Sequence, residues 1–361
     1  MMSDAPFLIV DSHLDLAFSA LQLNRDLTQP AATVRTYDSH STLHSFGSCT
    51  VTLPELHRGH VGIVFGTVMS RVDPNDRWTG TGMFCQAQCY AIGRGHLAYY
   101  EALARAGAIN FIRTRQDLDH SVTSWSSPTA ETPIGLVLAM ESADPILNPD
   151  AVSQWHDWGL RMVGIAHYGK NTYSHGTSTE GGLLPPARPL LQALGKSGIA
   201  VDMTHLTDQA FWEVLDIHGG LVAASHHNCR SLVPGQRQLT DAMIKAIAER
   251  NGVIGTSLDA WMLDPHWRRE TPACDQQTQA TLESVANHMD HIAQLTGSIH
   301  HCGIGSDLDG GFGTEQAPSD LNTIADLQKL STILSRRGYN QADMRAVLSQ
   351  NWIDFLHRLL S

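Results

Sequence analysis

The sequence predicts a (β/α)8 barrel, a TIM barrel with an insertion after the first strand. Three observations predict it. Eight short apolar runs recur along the 361 residues, each stopping at Gly or a polar residue. Apolar residues on consecutive positions, rather than alternating ones, suit parallel strands covered on both faces. Segments of helical periodicity lie between most of these runs, and a strand–helix alternation repeated around one core is the pattern of such a barrel. Six of the eight runs also deliver a His, Asp or Glu at their C-terminal ends, the rim on which barrel enzymes assemble their sites.

In chain order, strand one is expected over 7–10 and runs into His13 and Asp15. Residues 16–60 are polar, His- and Thr-rich and weakly periodic, and read as an insertion, not a separate domain. Strand two covers 61–69, followed by an Ala-rich helical stretch over 82–108. Strand three, 134–140, meets Glu141, and strand four, 161–166, meets His167 before a long loop over 169–182. A helix over 186–196 carries Leu190, Leu191 and Leu194 on one face. Strand five, 198–203, reaches His205, and a helix over 208–217 starts behind a Thr207 cap. Strand six, 219–225, ends at His226; Thr240 then caps a helix over 240–250. Strand seven, 251–257, precedes a loop over 264–277 and a helix over 278–296. Strand eight, 301–306, ends at Asp307, with a helix over 324–336 and a C-terminal helix over 337–361. The whole of 1–361 reads as one barrel domain. A doubly wound sheet would need a Gly-rich phosphate turn after an early strand, but Asp11-Ser12-His13-Leu14-Asp15 stands there instead.

Composition narrows the function classes. The chain is 42% hydrophobic and carries a net charge of −12, which disfavours nucleic acid and anionic membrane surfaces as partners. No apolar stretch reaches the ~18–20 residues of a membrane span, and the N-terminus lacks an export signal, so a cytoplasmic location is expected. Six scattered cysteines without a paired framework read as free buried thiols. The 20 histidines are the outlying number. A ring of His with Asp and Glu at strand ends would be costly to bury without a common partner. Its donor set suits zinc first, and its size suits two ions sharing a carboxylate.

The ordered motifs carry a resemblance. His13-Leu14-Asp15 resembles the opening metal motif of the amidohydrolase superfamily. Glu141, Gly164-Ile165-Ala166-His167, Val201-Asp202-Met203-Thr204-His205, Ala224-Ser225-His226 and Gly303-Ile304-Gly305-Ser306-Asp307-Leu308-Asp309-Gly310 resemble, in this order, the renal (membrane) dipeptidase family of zinc metallopeptidases. So does Asn351-Trp352-Ile353-Asp354-Phe355 near the C-terminus. The resemblance implies two zinc ions, one bound by His13 and Asp15 and one by His205 and His226, bridged by Glu141 and a water or hydroxide. It implies that Asp307 moves the proton, with Asp309 as the rival, and that His167 polarises the substrate carbonyl. Arg237 would grip the substrate's free carboxylate, with Arg230 as the rival. No Lys stands at a strand end to form the carbamylated bridge of other amidohydrolases; Lys170 falls in the loop. Glu141 is followed by Ser142-Ala143-Asp144 where relatives are often Gly-rich, which would bring the Asp144 charge near the cleft. The expected activity is dipeptide hydrolysis. The alternative is an amidohydrolase acting on another small amide, ester or lactone. A dipeptide is the expected small-molecule partner, and assembly as a homodimer stays open.

Overall fold

The computed structural model describes residues 6–38, 47–73 and 82–361. Its centre is a nearly closed barrel of eight parallel strands: β1 (Ile9–Leu14), β2 (Val61–Met69), β3 (Ile134–Glu141), β4 (Leu160–Gly164), β5 (Ala200–Asp202), β6 (Val222–Ala223), β7 (Ile254–Thr256) and β8 (Cys302–Ile304). Neighbours pair in parallel around the ring, and Asp11 opposite Ile304 joins β1 to β8. The β6–β7 seam is closed by a single bridge, Ala224 to Ile254. Every residue of β2 and β3 is buried, as covering on both faces requires.

The interior narrows beneath the rim. A Cβ on Gly305 would sit 1.7 Å from the Ser225 carbonyl oxygen, and one on Gly255 2.0 Å from it, so only glycine permits this approach of β6, β7 and β8. The Ser12 hydroxyl sits in the same layer and donates to the carbonyls of Ser225 (2.6 Å) and Ile304 (2.9 Å). At the opposite end Trp352, Phe355 and Leu356 pack with Val10, Ile63, Phe65 and Val137. Trp352 Nε1 donates to the Ile304 carbonyl, and Asn351 to those of Ile299 and Cys302.

All eight expected strands are present, with shifted ends. Strand one is not 7–10; it runs from Ile9 to Leu14 and carries His13 within it, because Asp11 and Ser12 are buried and paired across the barrel. The helix Asp208–Ile217 stands behind Thr207, whose hydroxyl accepts from the Ala210 N–H, and Thr240 caps Asp241–Glu249 in the same way through Met243 N–H. The 324–336 segment divides into a tighter turn, Ile324–Gln328, and the helix Lys329–Arg336. The weakly periodic stretch after β1 holds three short helices, Leu16–Leu21, Ala31–Asp38 and Leu53–Arg58, and its residues 39–46 lie outside the described residues. The strand Ile109–Phe111, paired to β3, and the helix Arg115–Ser124 were not anticipated. All six cysteines are free, but Cys85 and Cys274 are exposed rather than buried. Cys85 immediately precedes the helix Gln86–Arg105, and Cys274 lies in the 264–277 loop. Among the described residues no helix is long and apolar enough to cross a membrane.

Candidate metal centre and substrate cleft

The C-terminal ends of the strands bring His13, Asp15, Glu141, His167, His205, His226, Asp307 and Arg237 together. Glu141, the last residue of β3, lies at the centre and is 6% exposed. Its two oxygens face different groups. Oε2 lies 3.7 Å from His13 Nε2, which in turn lies 3.7 Å from Asp15 Oδ2 and 3.8 Å from Asp307 Oδ1. Oε1 lies 3.1 Å from His205 Nε2 and 3.4 Å from His226 Nε2, and these two nitrogens are 3.1 Å apart. His167 Nε2 is 3.8 Å from the same oxygen.

The turns after the strands aim these side chains with unusual backbone. His205 and Asp307 adopt φ of +67° and +59°, and Ser142, just after Glu141, +69°. Non-glycine residues rarely adopt this left-handed region, and such strain clusters at functional sites.

The partners behind the imidazoles orient them. The Asp202 carboxylate accepts from the Ser225 hydroxyl, from Ser225 N–H (2.9 Å) and from Thr204. With its proton given to Asp202, the Ser225 oxygen is left to accept from His226 Nδ1 (2.8 Å) and, more distantly, His13 Nδ1 (3.4 Å). Thr177 Oγ1 stands 2.9 Å behind His205 Nδ1. Protons on Nδ1 leave the Nε2 lone pairs of these rings facing Glu141. Asp15 accepts from the Thr67 hydroxyl.

The cluster holds carboxylates and imidazoles together out of water, where each shifts the others' titration. Burial lowers the basicity of His13, yet the Glu141, Asp15 and Asp307 carboxylates outweigh it and raise His13 to about 10. Burial pushes Glu141 up to about 8, with His13 opposing and Asp15 adding to the rise. Burial also holds Asp307 well above the usual carboxylate range, His13 opposing and Glu141, Asp15 and Asp259 adding. His205 and His226 are held well below the usual imidazole range by burial and by neighbouring cationic groups. His13 Nε2 has no hydrogen-bond partner. Donor atoms about an ion with ~2.1 Å bonds stand ~3.4 Å apart in tetrahedral geometry. The spacings at Glu141 fall close to that value, so the residues fit divalent metal.

Arg237 is 3% exposed, and its Nη2 donates to the His226 carbonyl at 3.0 Å. Its Nη1 is buried without a partner. Arg230 instead forks onto Asp208 at 2.8 and 2.7 Å, away from the cluster. Asp309 is turned away as well: its carboxylate accepts from Thr50 N–H and hydroxyl and from Val51 N–H, and pairs with Arg25 at 3.3 Å. Lys170 is exposed. Asp144 does not line the cleft; it is fully buried, accepting from Val72 N–H, Thr172 N–H and the Ser142 hydroxyl.

A cavity of about 360 Å³ opens beside the cluster, lined by Asp15, His167, Tyr168, Asp259 and Trp261 among others. A smaller pocket continues from it to Glu141, Arg237 and Asp307. Sequence reasoning missed Arg71 and Asp259, which come from the two strands it left without a site residue. Arg71 lies two residues past β2, and Asp259 three past β7. Asp202 was visible within its motif but carried no assigned role.

The family model for membrane dipeptidase, peptidase family M19, matches residues 4–358. The chain belongs to the membrane dipeptidase family. Membership makes it a metallopeptidase of the dipeptidase class. It is 25% identical over 306 residues to an uncharacterised dipeptidase of Schizosaccharomyces pombe, covering 82% of this chain and 70% of that protein. It is 24% identical over 319 residues to the dipeptidase tcpJ of Claviceps purpurea, covering 86% of this chain and 69% of that protein. Among solved structures, a metallopeptidase from Rhodobacter sphaeroides liganded with a phosphinate mimic of the dipeptide L-Ala-D-Ala superposes with a TM-score of 0.79. That match spans 98% of this chain and 100% of the other at 22% identity, and shows the shared barrel fold of this M19 dipeptidase.

Proposed function

We propose that this M19 dipeptidase is a binuclear zinc enzyme that hydrolyses the peptide bond of free dipeptides. The observation that carries this reading is the split of Glu141, one oxygen toward His13 and the other toward His205 and His226. His13 and Asp15 would hold one zinc, His205 and His226 the other, with Glu141 and a water or hydroxide between them. Two such ions supply a nucleophile at neutral pH and a polarised scissile carbonyl.

The remaining residues divide the other tasks. Asp307, an acid at the cluster's edge, takes the proton on its carboxylate and returns it to the leaving amine. His167 donates a hydrogen bond to the oxygen that gains charge. Arg237, with Nη1 unsatisfied, takes the substrate's terminal carboxylate, for which a planar guanidinium fork is suited. A fixed cation at this depth would select a chain whose carboxylate ends one residue beyond the scissile bond. Zinc-loaded protein should be assayed on a panel of L,L- and L,D-dipeptides, L-Ala-D-Ala included, with their C-terminal amides and small esters and lactones. Free dipeptides should turn over, and their amides far more slowly. Arg237→Ala should weaken kcat/KM for the free acid by ~2–4 kcal/mol and barely change it for the amide. Turnover of lactones in preference to dipeptides, or no coupling between Arg237 and the carboxylate, would refute the assignment.

A further inference from the structure

Four imidazoles crowd Glu141, and distance alone does not separate them: Glu141, His167 and His205 group as closely as His13, Glu141 and His226. What lies behind each ring does separate them. Behind His226 and His205 stand hydroxyls, Ser225 and Thr177, each with its own proton directed elsewhere. Ser225 donates to Asp202, and Thr177 to the His205 carbonyl (3.4 Å). Those oxygens accept from Nδ1–H, so the Nε2 lone pairs of both rings point into the cluster, that of His205 also meeting Arg237 Nη2 at 3.3 Å. Behind His167 stands a guanidinium. Arg71 Nη1 lies 2.8 Å from His167 Nδ1.

Arginine has only donors and does not deprotonate in proteins. His167 Nδ1 must therefore accept, and the single proton of the neutral ring is on Nε2. A doubly protonated ring would have no lone pair for Arg71 and would set two cations against each other at 2.8 Å. Arg71 itself is held firmly. It is 5% exposed, its backbone pairs in the short strand Arg71–Val72 with Gly82–Met83, and Nη2 lies 3.5 Å from Asp73.

We propose that Arg71 is a positioning residue for this reaction: its hydrogen bond to Nδ1 locks His167 in the Nε2–H form, making that imidazole a fixed donor to substrate and withholding it from the metals. The inference rests on the donor role given to His167 above. It also explains why a fourth histidine at ligand distance need not add a ligand.

The test combines spectroscopy with kinetics on the zinc-loaded protein. In 15N-histidine-labelled enzyme, the His167 resonances, identified by their loss in His167→Ala, should show a protonated Nε2 and a bare Nδ1. Arg71→Met, which keeps bulk and removes the donors, should redistribute the proton between the two nitrogens. It should also lower kcat by roughly 10-fold or more, part of the ~10²–10³-fold expected for loss of an oxyanion donor. KM for a free dipeptide should change little, and the zinc-to-protein ratio not at all. Arg71→Lys, which restores a donor, should recover the wild-type spectrum and most of kcat. A protonated Nδ1 on His167 in the wild type would overturn the proposal even if Arg71→Met failed to fold. So would an Arg71→Met enzyme with an unchanged spectrum and kcat. Full activity in His167→Ala would instead remove the donor role of His167 while leaving the tautomer assignment to stand on the spectrum.

Discussion

Buried histidines occur in two regions of this molecule, and they are built differently. In the helical shell, His96, His218 and His288 are at most 1% exposed, and each has a ring nitrogen matched to a local partner. His96 Nδ1 accepts from Met69 N–H and its Nε2 meets the Gln22 amide. His288 Nδ1 accepts from Cys229 N–H, and both nitrogens of His218 face backbone carbonyls. At the rim, His13, His205 and His226 are buried too, at most 4% exposed, yet their Nε2 atoms face one another and Glu141. Burial of a histidine is therefore uninformative by itself. Lone pairs converging on a shared carboxylate are informative, because that arrangement is unfavourable until a cation enters.

The comparison sharpens most at two aspartates two residues apart. Asp307 belongs to the rim, and Asp309 to the packing that fixes residues 50 and 51 and Arg25. Asp307→Asn should retain the metals and the melting temperature but lose ~10²-fold or more in kcat. Asp309→Asn should keep most of kcat per folded molecule and lose about 3 kcal/mol of stability, the low end for breaking a buried pair, since Arg25 keeps Asp38. Parallel assays and denaturant melts check this, and an exchange of the two phenotypes would mean that the rim is placed wrongly.

A smaller effect separates the shell. Burial lowers His288 to about 3, with His291 adding to the shift, while an unfolded chain titrates near the ordinary imidazole value of ~6.5. The neutral ring is thus favoured by folding. Its contribution is fully present above pH ~6.5 and falls by about 1.4 kcal/mol per pH unit as the pH drops toward 3. His288→Asn keeps an acceptor near the Nδ1 position and does not charge. At equal metal loading, its stability should fall by about one proton's slope less than that of the wild type across this range. Parallel curves would mean that His288 titrates normally and that the shell histidines are not what their burial implies.

Much of this was legible in the chain. The barrel followed from runs such as 61–69 and 134–140, which are apolar on consecutive positions, Thr67 apart, because both faces are covered. The rim histidines followed from ending those runs. The shell histidines were not separable from them by count, since His96 and His288 lie inside helices whose other residues set the period. Arg71 and Asp259 stand no farther past their strands than His167, His205 or Asp307 do, but no motif marked them out. The choice of Asp307 over Asp309 rested on adjacency to the strand. The structure supplies a physical reason for it, since Asp309 has its oxygens occupied by residues 50 and 51, distant in sequence.

Glu141 is proposed to join two metal sites into one catalytic centre. Protein stripped by chelation should be titrated with zinc while bound metal and dipeptide turnover are followed together, for the wild type and Glu141→Ala. The stripped wild type should show no turnover, with activity rising until about two equivalents are bound. The variant should bind fewer equivalents and stay at least ~10²-fold less active at saturation. Full activity at one equivalent, or a Glu141→Ala enzyme with wild-type metal content and turnover, would contradict this role of Glu141.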